Sequence, residues 1–318
     1  MNAGSARSDH GAQYAESAAG AFASLVRDLE VRLVGKIGFA ALHLETGARL
    51  AVNEGERFPM ASTFKIPIAA LLLALVDQGR ATLDHRVEIS PRHFAETGEI
   101  AQSVQHPGVS LSVVNLLELM LTQSNNNATD RILDIVGGPA AVTTWVRQAG
   151  VQELSVDRSV NSILNAFYGF PPGSASMATF LSRWPTEAER DLVNNRPNPD
   201  FDLSLQDTAT PHAMCELLRL LFATDALSEN SRALLFEVMA RCQTGPGRIK
   251  GLLPPGTVVA HKTGTIGGTI NDAGVIELPG GGGRVALAVL TKDSKLSPYA
   301  AREPILAELS RAVFDHFA

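Results

Sequence analysis

The chain predicts an α+β fold (α/β in some schemes): an antiparallel sheet flanked by helices, with an all-helical subdomain inserted between its halves. Strand-like runs lie only near the two ends of the chain, helical spacing fills most of the middle, and no internal repeat divides the 318 residues. In chain order, 21–34 has helical spacing, and 37–44 with 49–52 reads as a hairpin around Glu45-Thr46-Gly47. The run Ile66 to Val76 is apolar almost all round, which marks a helix buried on every side and too short to span a membrane. Pro67 stands close to the first turn of that helix, where a missing N–H costs least.

Helical spacing continues from Ser62 to about Gly150. Two further helices are predicted over 211–223, capped by Thr210, and 228–242, capped by Ser228. Strands return at 257–262, 271–278 and 284–291, with Gly280 to Gly283 as a hairpin loop, and 302–317 closes as a helix. The expected organisation is a flexible stretch 1–17, a sheet subdomain from 18–60 with 209–318, and a helical subdomain 61–208 that includes an extended loop 159–206.

Composition narrows the function. A hydrophobic content of 45% in 318 residues supports a substantial core. A net charge of −6 with no basic cluster excludes a nucleic-acid surface, so an anionic substrate must be held locally. Cys215 and Cys242 have no metal-type spacing and are expected as core thiols, and the histidines are scattered without HExxH, so neither a metal nor a cofactor is expected. Residues 1–20 lack a basic segment followed by an apolar one, so no export signal is expected there.

Three short motifs carry the chemistry: Ser62-Thr63-Phe64-Lys65, Ser124-Asn125-Asn126 and Lys262-Thr263-Gly264. Each alone has a plain reading as a cap, a polar turn or a strand end. Together they are hard to ascribe to chance, because two of only six lysines complete the first and third. A serine hydroxyl needs a neighbouring base and a stabilised oxyanion to act as a nucleophile. If a helix begins at Ser62, Lys65 lies on the same face, one turn on, with its amine pointing back to the hydroxyl. Burial and a second cation would favour the neutral amine. A Walker A loop fails because His261 stands where glycine is required.

These motifs resemble those of the class A serine β-lactamases and related penicillin-binding proteins. Val136-Gly137-Gly138-Pro139, Asp157-Arg158, Asp207-Thr208-Ala209-Thr210-Pro211 and Gly267 to Asp272 extend the resemblance over about 18–318. It implies a β-lactamase-like fold, a small-molecule β-lactam or D-alanyl-type substrate, a monomer and, by family habit, an exported protein. In that reading Ser62 is acylated, Lys65 is its base or proton relay, and Ser124 passes a proton to the leaving nitrogen. Asn126 binds the substrate amide, while Lys262, Thr263 and Gly264 line the carboxylate side. The N–H groups of Ser62 and Thr265 form the oxyanion hole, and Arg248 supplies the guanidinium that Ile270 cannot.

The sequence departs from the family where deacylation is expected. The glutamate that should follow Arg158 by two residues is replaced by Val160, and an asparagine that should support it is Asp130. Asp130 is a candidate to orient water or simply to cap or pair with Arg131 or Arg158. Loop 159–206 is longer than the resemblance implies and partly apolar, as expected of a folded lid beside the cleft. β-Lactam hydrolysis with a slow or displaced second step is therefore expected. A D-alanyl-D-alanine peptidase or esterase, and a penicillin-binding sensor that acylates without turnover, are the alternatives.

Overall fold

The computed structural model describes residues 5–89, 106, 108–174 and 177–318. Helix α1 (Ser5–Leu33) starts within the stretch expected to be flexible. It leads into strands β1 (Lys36–His43) and β2 (Arg49–Val52), the short β3 (Phe58–Pro59), a 3₁₀ turn (Ala61–Phe64) and α2 (Lys65–Asp77). The inserted block is not all-helical as expected, because β4 (Arg86–Ile89) and β5 (Val109–Ser112) pair as a two-stranded ribbon before α3 (Val113–Thr122), α4 (Asn126–Val136) and α5 (Pro139–Gln148). The long loop contains α6 (Val160–Tyr168), α7 (Met177–Arg183), α8 (Glu187–Asn195) and α9 (Pro199–Asp202). Strand β6 (Thr208–Ala209), α10 (Pro211–Ala223), α11 (Glu229–Ala240), β7 (Val259–Ile266), β8 (Thr269–Glu277), β9 (Arg284–Lys292) and α12 (Tyr299–Phe317) complete the chain.

The main sheet has the order β2-β1-β9-β8-β7, antiparallel throughout. The first hairpin therefore pairs with the last strand, His43 opposite Val285 and Lys36 opposite Lys292, so both chain ends build one sheet. Its strands read as near-continuous apolar runs because both faces are covered. Ile37, Phe39 and Ala41 meet Phe22, Val26 and Leu29 of α1 and Leu309 and Val313 of α12. Ala40 and Leu42 join the other core, shared with α2, α3, α10 and α11. Each such Leu, Ile or Val contributes about 1.5–3 kcal/mol by leaving water.

Residues 65–75 of α2 are all buried, as an apolar run without a polar face requires. This central helix fixes Lys65 against the helical block on one side and β7 on the other.

Inside 159–206 the helices are short, and three of them begin at side-chain caps. Ser159 accepts from Ser162 N, Asn198 from Phe201 N, and Thr186 forms a capping box with Glu189. Phe167, Tyr168, Phe170, Phe180 and Trp184 stack with ring centroids 4.9–5.8 Å apart, giving the segment a small core of its own. Its foot is closed by Arg158 Nε on Asp207 Oδ2 at 2.6 Å. Its far side is tied down by the fully buried Arg302, which donates to the carbonyls of Asn195 and Gly267.

Candidate active site

Ser62 sits on the 3₁₀ turn that feeds α2, so it precedes the α-helix proper by one turn rather than opening it. Strand β7 crosses this turn so closely that a side chain at Gly264 would place its first carbon 2.6 Å from Met60 O and 3.1 Å from the N atoms of Ser62 and Thr63. Only glycine fits there. Asn271 Nδ2 pins the same turn by donating to Pro59 O at 2.8 Å and Met60 O at 3.0 Å. Because β7 is the edge strand of the sheet, alternate N–H groups point away from β8, and Gly264-Thr265 is the part laid against Ser62. Ser62, Ser124 and Thr265 are partly exposed beside fully buried Lys65 and Lys262.

Lys65 Nζ donates to Ser124 O at 2.6 Å, Ser124 Oγ at 3.2 Å and Asn126 Oδ1 at 2.9 Å. The first motif thus reaches the second directly; the bonds of this amine recorded among the described residues run to Ser124 and Asn126, not back to Ser62. Ser124 has φ +59°, a left-handed conformation that costs a non-glycine residue free energy and is held here by the lysine on its carbonyl. Asn125 caps α4 by accepting from Ala128 N and so orients Asn126. Burial, followed by the charge of Lys262, holds the Lys65 amine well below the usual lysine range, with Asp130 pulling the other way.

Lys262 Nζ donates to Thr263 O at 2.8 Å. Burial lowers its ammonium to about 8 against the opposing pull of Cys242 and Asp272. The Thr263 hydroxyl lies 2.5 Å from that of Thr244. Arg248 is nearly enclosed: Nη1 donates to Gly264 O and Asn271 O, Nη2 to Thr265 Oγ1 at 2.7 Å, and Nε to Glu303. Most of its donors brace the strand that carries the third motif, while Nη2 reaches the hydroxyl beside it.

The carboxylate that the resemblance places two residues after Arg158 is absent. Val160 is a buried apolar residue that opens α6. Asp130 Oδ1 accepts from Val160 N at 2.8 Å and Oδ2 from Asn161 N at 3.2 Å, so its side chain stands at the positive end of that helix. Burial pushes its carboxyl up, against those two N–H groups and Lys65. Among the described residues, the charges that act on Lys65 are Lys262 and Asp130, not the acids of the long loop. Glu189 is occupied in its capping box, and Asp202, facing Asp293, is pushed by burial to about 7.

One group of residues went unread in the sequence. Cys242 lies just beyond α11 with Sγ 3.4 Å from Thr244 Oγ1, and His261 Nδ1 is 2.8 and 2.9 Å from the two oxygens of Asp272. Cys215 is a buried thiol as expected, whereas Cys242 is only partly buried; both are free. The signal for this group lies in the sheet register, which sets Thr263 opposite Asp272 and His261 opposite Gly274, and no local spacing encodes it.

The three motifs thus meet on a five-stranded antiparallel sheet with an inserted block that is mainly helical, the arrangement the resemblance implies. The chain belongs to the beta-lactamase enzyme family, whose model matches residues 21–317. It is similar to the extended-spectrum beta-lactamase PER-1 of Pseudomonas aeruginosa, 31% identical with 91% of this chain and 86% of that protein covered. It is also similar to beta-lactamase VEB-1 of the same organism, 25% identical over 89% and 85%. Among solved structures, an ancestral class A beta-lactamase superposes with TM-score 0.76 at 33% identity, covering 93% of this chain and 99% of that one. A beta-lactamase from Chitinophaga pinensis gives 0.74 at 27%, covering 93% and 98%.

Proposed function

We propose that this protein opens β-lactams by acylating Ser62 and hydrolyses the resulting ester slowly. The observation that carries this reading is the convergence of the three motifs: Lys65 on Ser124 and Asn126, and Gly264 on the backbone of Ser62. Ser62 Oγ attacks the lactam carbonyl as Lys65, favoured neutral by burial, takes its proton directly or by way of Ser124. Breaking of the lactam C–N bond then draws a proton from Ser124 to the departing nitrogen. The N–H groups of Ser62 and Thr265 are suited to stabilise the oxyanion, and Asn126 the acyl amide. Lys262, Thr263, Thr265 and Arg248 offer charge and hydroxyls to a substrate carboxylate. No cofactor enters these steps.

Deacylation needs a base for the attacking water. Val160 cannot accept a proton, and Asp130 is engaged with two backbone N–H groups, which also favours a second reading in which the protein acylates and then turns over scarcely at all. Intact-mass spectrometry during reaction with a penicillin distinguishes these readings. The expected result is a burst of one equivalent, an adduct on Ser62 that decays slowly, and no adduct in Ser62→Ala. Adduct formation in Ser62→Ala, or fast turnover without accumulation, would sink the proposal. Val160→Glu combined with Asp130→Asn should shorten the adduct's lifetime, since the pair supplies a base without setting two carboxylates together.

A further inference from the structure

The Cys242 side chain has surroundings that neither acylation nor deacylation uses. His261 is fully buried, with Nδ1 fixed by Asp272, whose Oδ2 also accepts from Ile249 N. The other ring nitrogen, Nε2, is buried and makes no hydrogen bond of good geometry, and the group that feels it is the Cys242 sulfur. An acid, an imidazole and a thiol are therefore neighbours: Asp272 orients His261, and His261 is the residue that acts most strongly on the Cys242 thiol after burial. On its other side the thiol meets Thr244 Oγ1 at 3.4 Å, and Thr244 meets Thr263 Oγ1 at 2.5 Å, which leads into the third motif.

We propose that Cys242 is a modification site, a thiolate that reacts with low-molecular-weight disulfides and soft alkylating electrophiles, and that its modification disables the adjoining carboxylate-binding end of the cleft. Reactive cysteines occur in electropositive, partly exposed surroundings, whereas enclosed ones are inert. The two cysteines of this chain differ in that way. Cys215 is enclosed and burial pushes its thiol up to about 12. At Cys242 burial also pushes upward, but the neighbouring His261, then the charge of Lys262 and the Thr244 hydroxyl, outweigh it and bring the thiol to about 6. His261 responds reciprocally: burial pulls it down, and Asp272 and then Cys242 lift it to about 9.

With a disulfide R–S–S–R, an electron pair on Cys242 Sγ attacks one sulfur and a Cys242–S–S–R bond forms as the original S–S bond breaks. The thiolate R–S⁻ departs and takes a proton from solvent, so the protein sulfur is oxidised as the departing one is reduced. With iodoacetamide a C–S bond forms and iodide leaves. Either adduct sets new bulk against Thr244 and separates it from Thr263. That second effect rests on the proposed function; the thiol chemistry does not.

The absolute rate at neutral pH discriminates poorly. A thiol at about 6 is roughly thirty times more ionised at pH 7 than one at about 8.5, but its weaker intrinsic nucleophilicity cancels about tenfold of that gain. The pH midpoint is decisive. Folded protein is treated with iodoacetamide from pH 5 to 9 and the adduct followed by intact mass and peptide mapping. The expected result is one adduct, on Cys242, with a rate midpoint near 6, absent in Cys242→Ser, while Cys215 reacts only after unfolding. A midpoint in the ordinary thiol range, or Cys242 reacting no faster than Cys215, overturns the site. Protein labelled with 4,4′-dithiodipyridine should be acylated by a penicillin at least tenfold more slowly, recover with reductant, and differ in this from treated Cys242→Ser. Unchanged acylation after full labelling overturns the coupling. Failure of unlabelled protein to acylate would count against the β-lactam reading and leave the thiol measurement intact.

Discussion

Replacing Asp130 separates a structural carboxylate from a catalytic one. Its two oxygens hold the N–H groups of Val160 and Asn161, the first turn of α6, and the carboxylate is the one anion acting on Lys65 among the described residues. Asp130→Ala leaves both donors without a side-chain partner, which costs about 1–2 kcal/mol on the scale of a lost helix cap. Asp130→Asn keeps one acceptor oxygen and removes a charge that burial already disfavours, so its cost is at most about 1 kcal/mol. Urea denaturation with an unchanged m-value reads both differences.

The kinetic consequence has a definite sign. The Asp130 anion favours the Lys65 ammonium, so its removal lowers the Lys65 pKa and moves the acidic limb of the acylation profile to lower pH, because the base is the neutral amine. The lifetime of the acyl-enzyme should change little in Asp130→Asn. Prolongation of the adduct by about a hundredfold, the scale of losing a general base, would make Asp130 the deacylation base and refute the structural role argued for it.

Arg248→Ala should weaken acylation by carboxylate-bearing β-lactams by about 2–3 kcal/mol, as expected for a charge-assisted hydrogen bond, and affect neutral esters far less. Since Arg248 also braces Gly264, Thr265 and Asn271, its melting temperature is compared with that of Arg248→Lys; equal kinetic losses on both substrate types would remove it from the carboxylate role. Arg158→Ala should cost about 3 kcal/mol, the lower end for breaking a buried ion pair, because Asp207 keeps the N–H groups of Asp157 and Arg158. Asp207 already has its carboxyl raised by burial, so the deficit should shrink as falling pH protonates it. A deficit independent of pH in urea titrations would show that the pair contributes little.

The parts of the fold that were legible are those in which one physical demand acts along a continuous segment. The run 66–76 must be a buried helix because it has no polar face, and 284–291, apolar and following a glycine-rich loop, reads as a strand. The motif residues were legible because serine and lysine at fixed spacing have few other uses in combination. The bonds between motifs were not, since Lys65 meets Ser124 and Asn126 across 59 and 61 positions of chain. Likewise the pairing of His261 with Asp272 depends on strand register. The helices of 159–206 had a local signal in Thr186-Glu187-Ala188-Glu189, but each is too short for apolar periodicity to stand out against a loop.

The same electrostatics bear in opposite directions on the two half-reactions. Lys65 and Lys262 are buried near one another, and each burial disfavours the ammonium; Lys262, the more weakly shifted, retains the charge that keeps Lys65 toward its neutral form. That arrangement suits proton removal from Ser62 and attraction of an anionic substrate despite a net charge of −6 on the chain. A glutamate at position 160 would bring in a second carboxylate near Asp130, strengthen the ammonium form of Lys65 and oppose the first step while assisting the second. With Val160 there instead, the carboxylate of Asp130 is free to hold the start of α6, and the long loop gains a fixed helical foot on α4. On the proposed mechanism, acylation is favoured by these charges, while deacylation has no carboxylate at position 160 to activate its water.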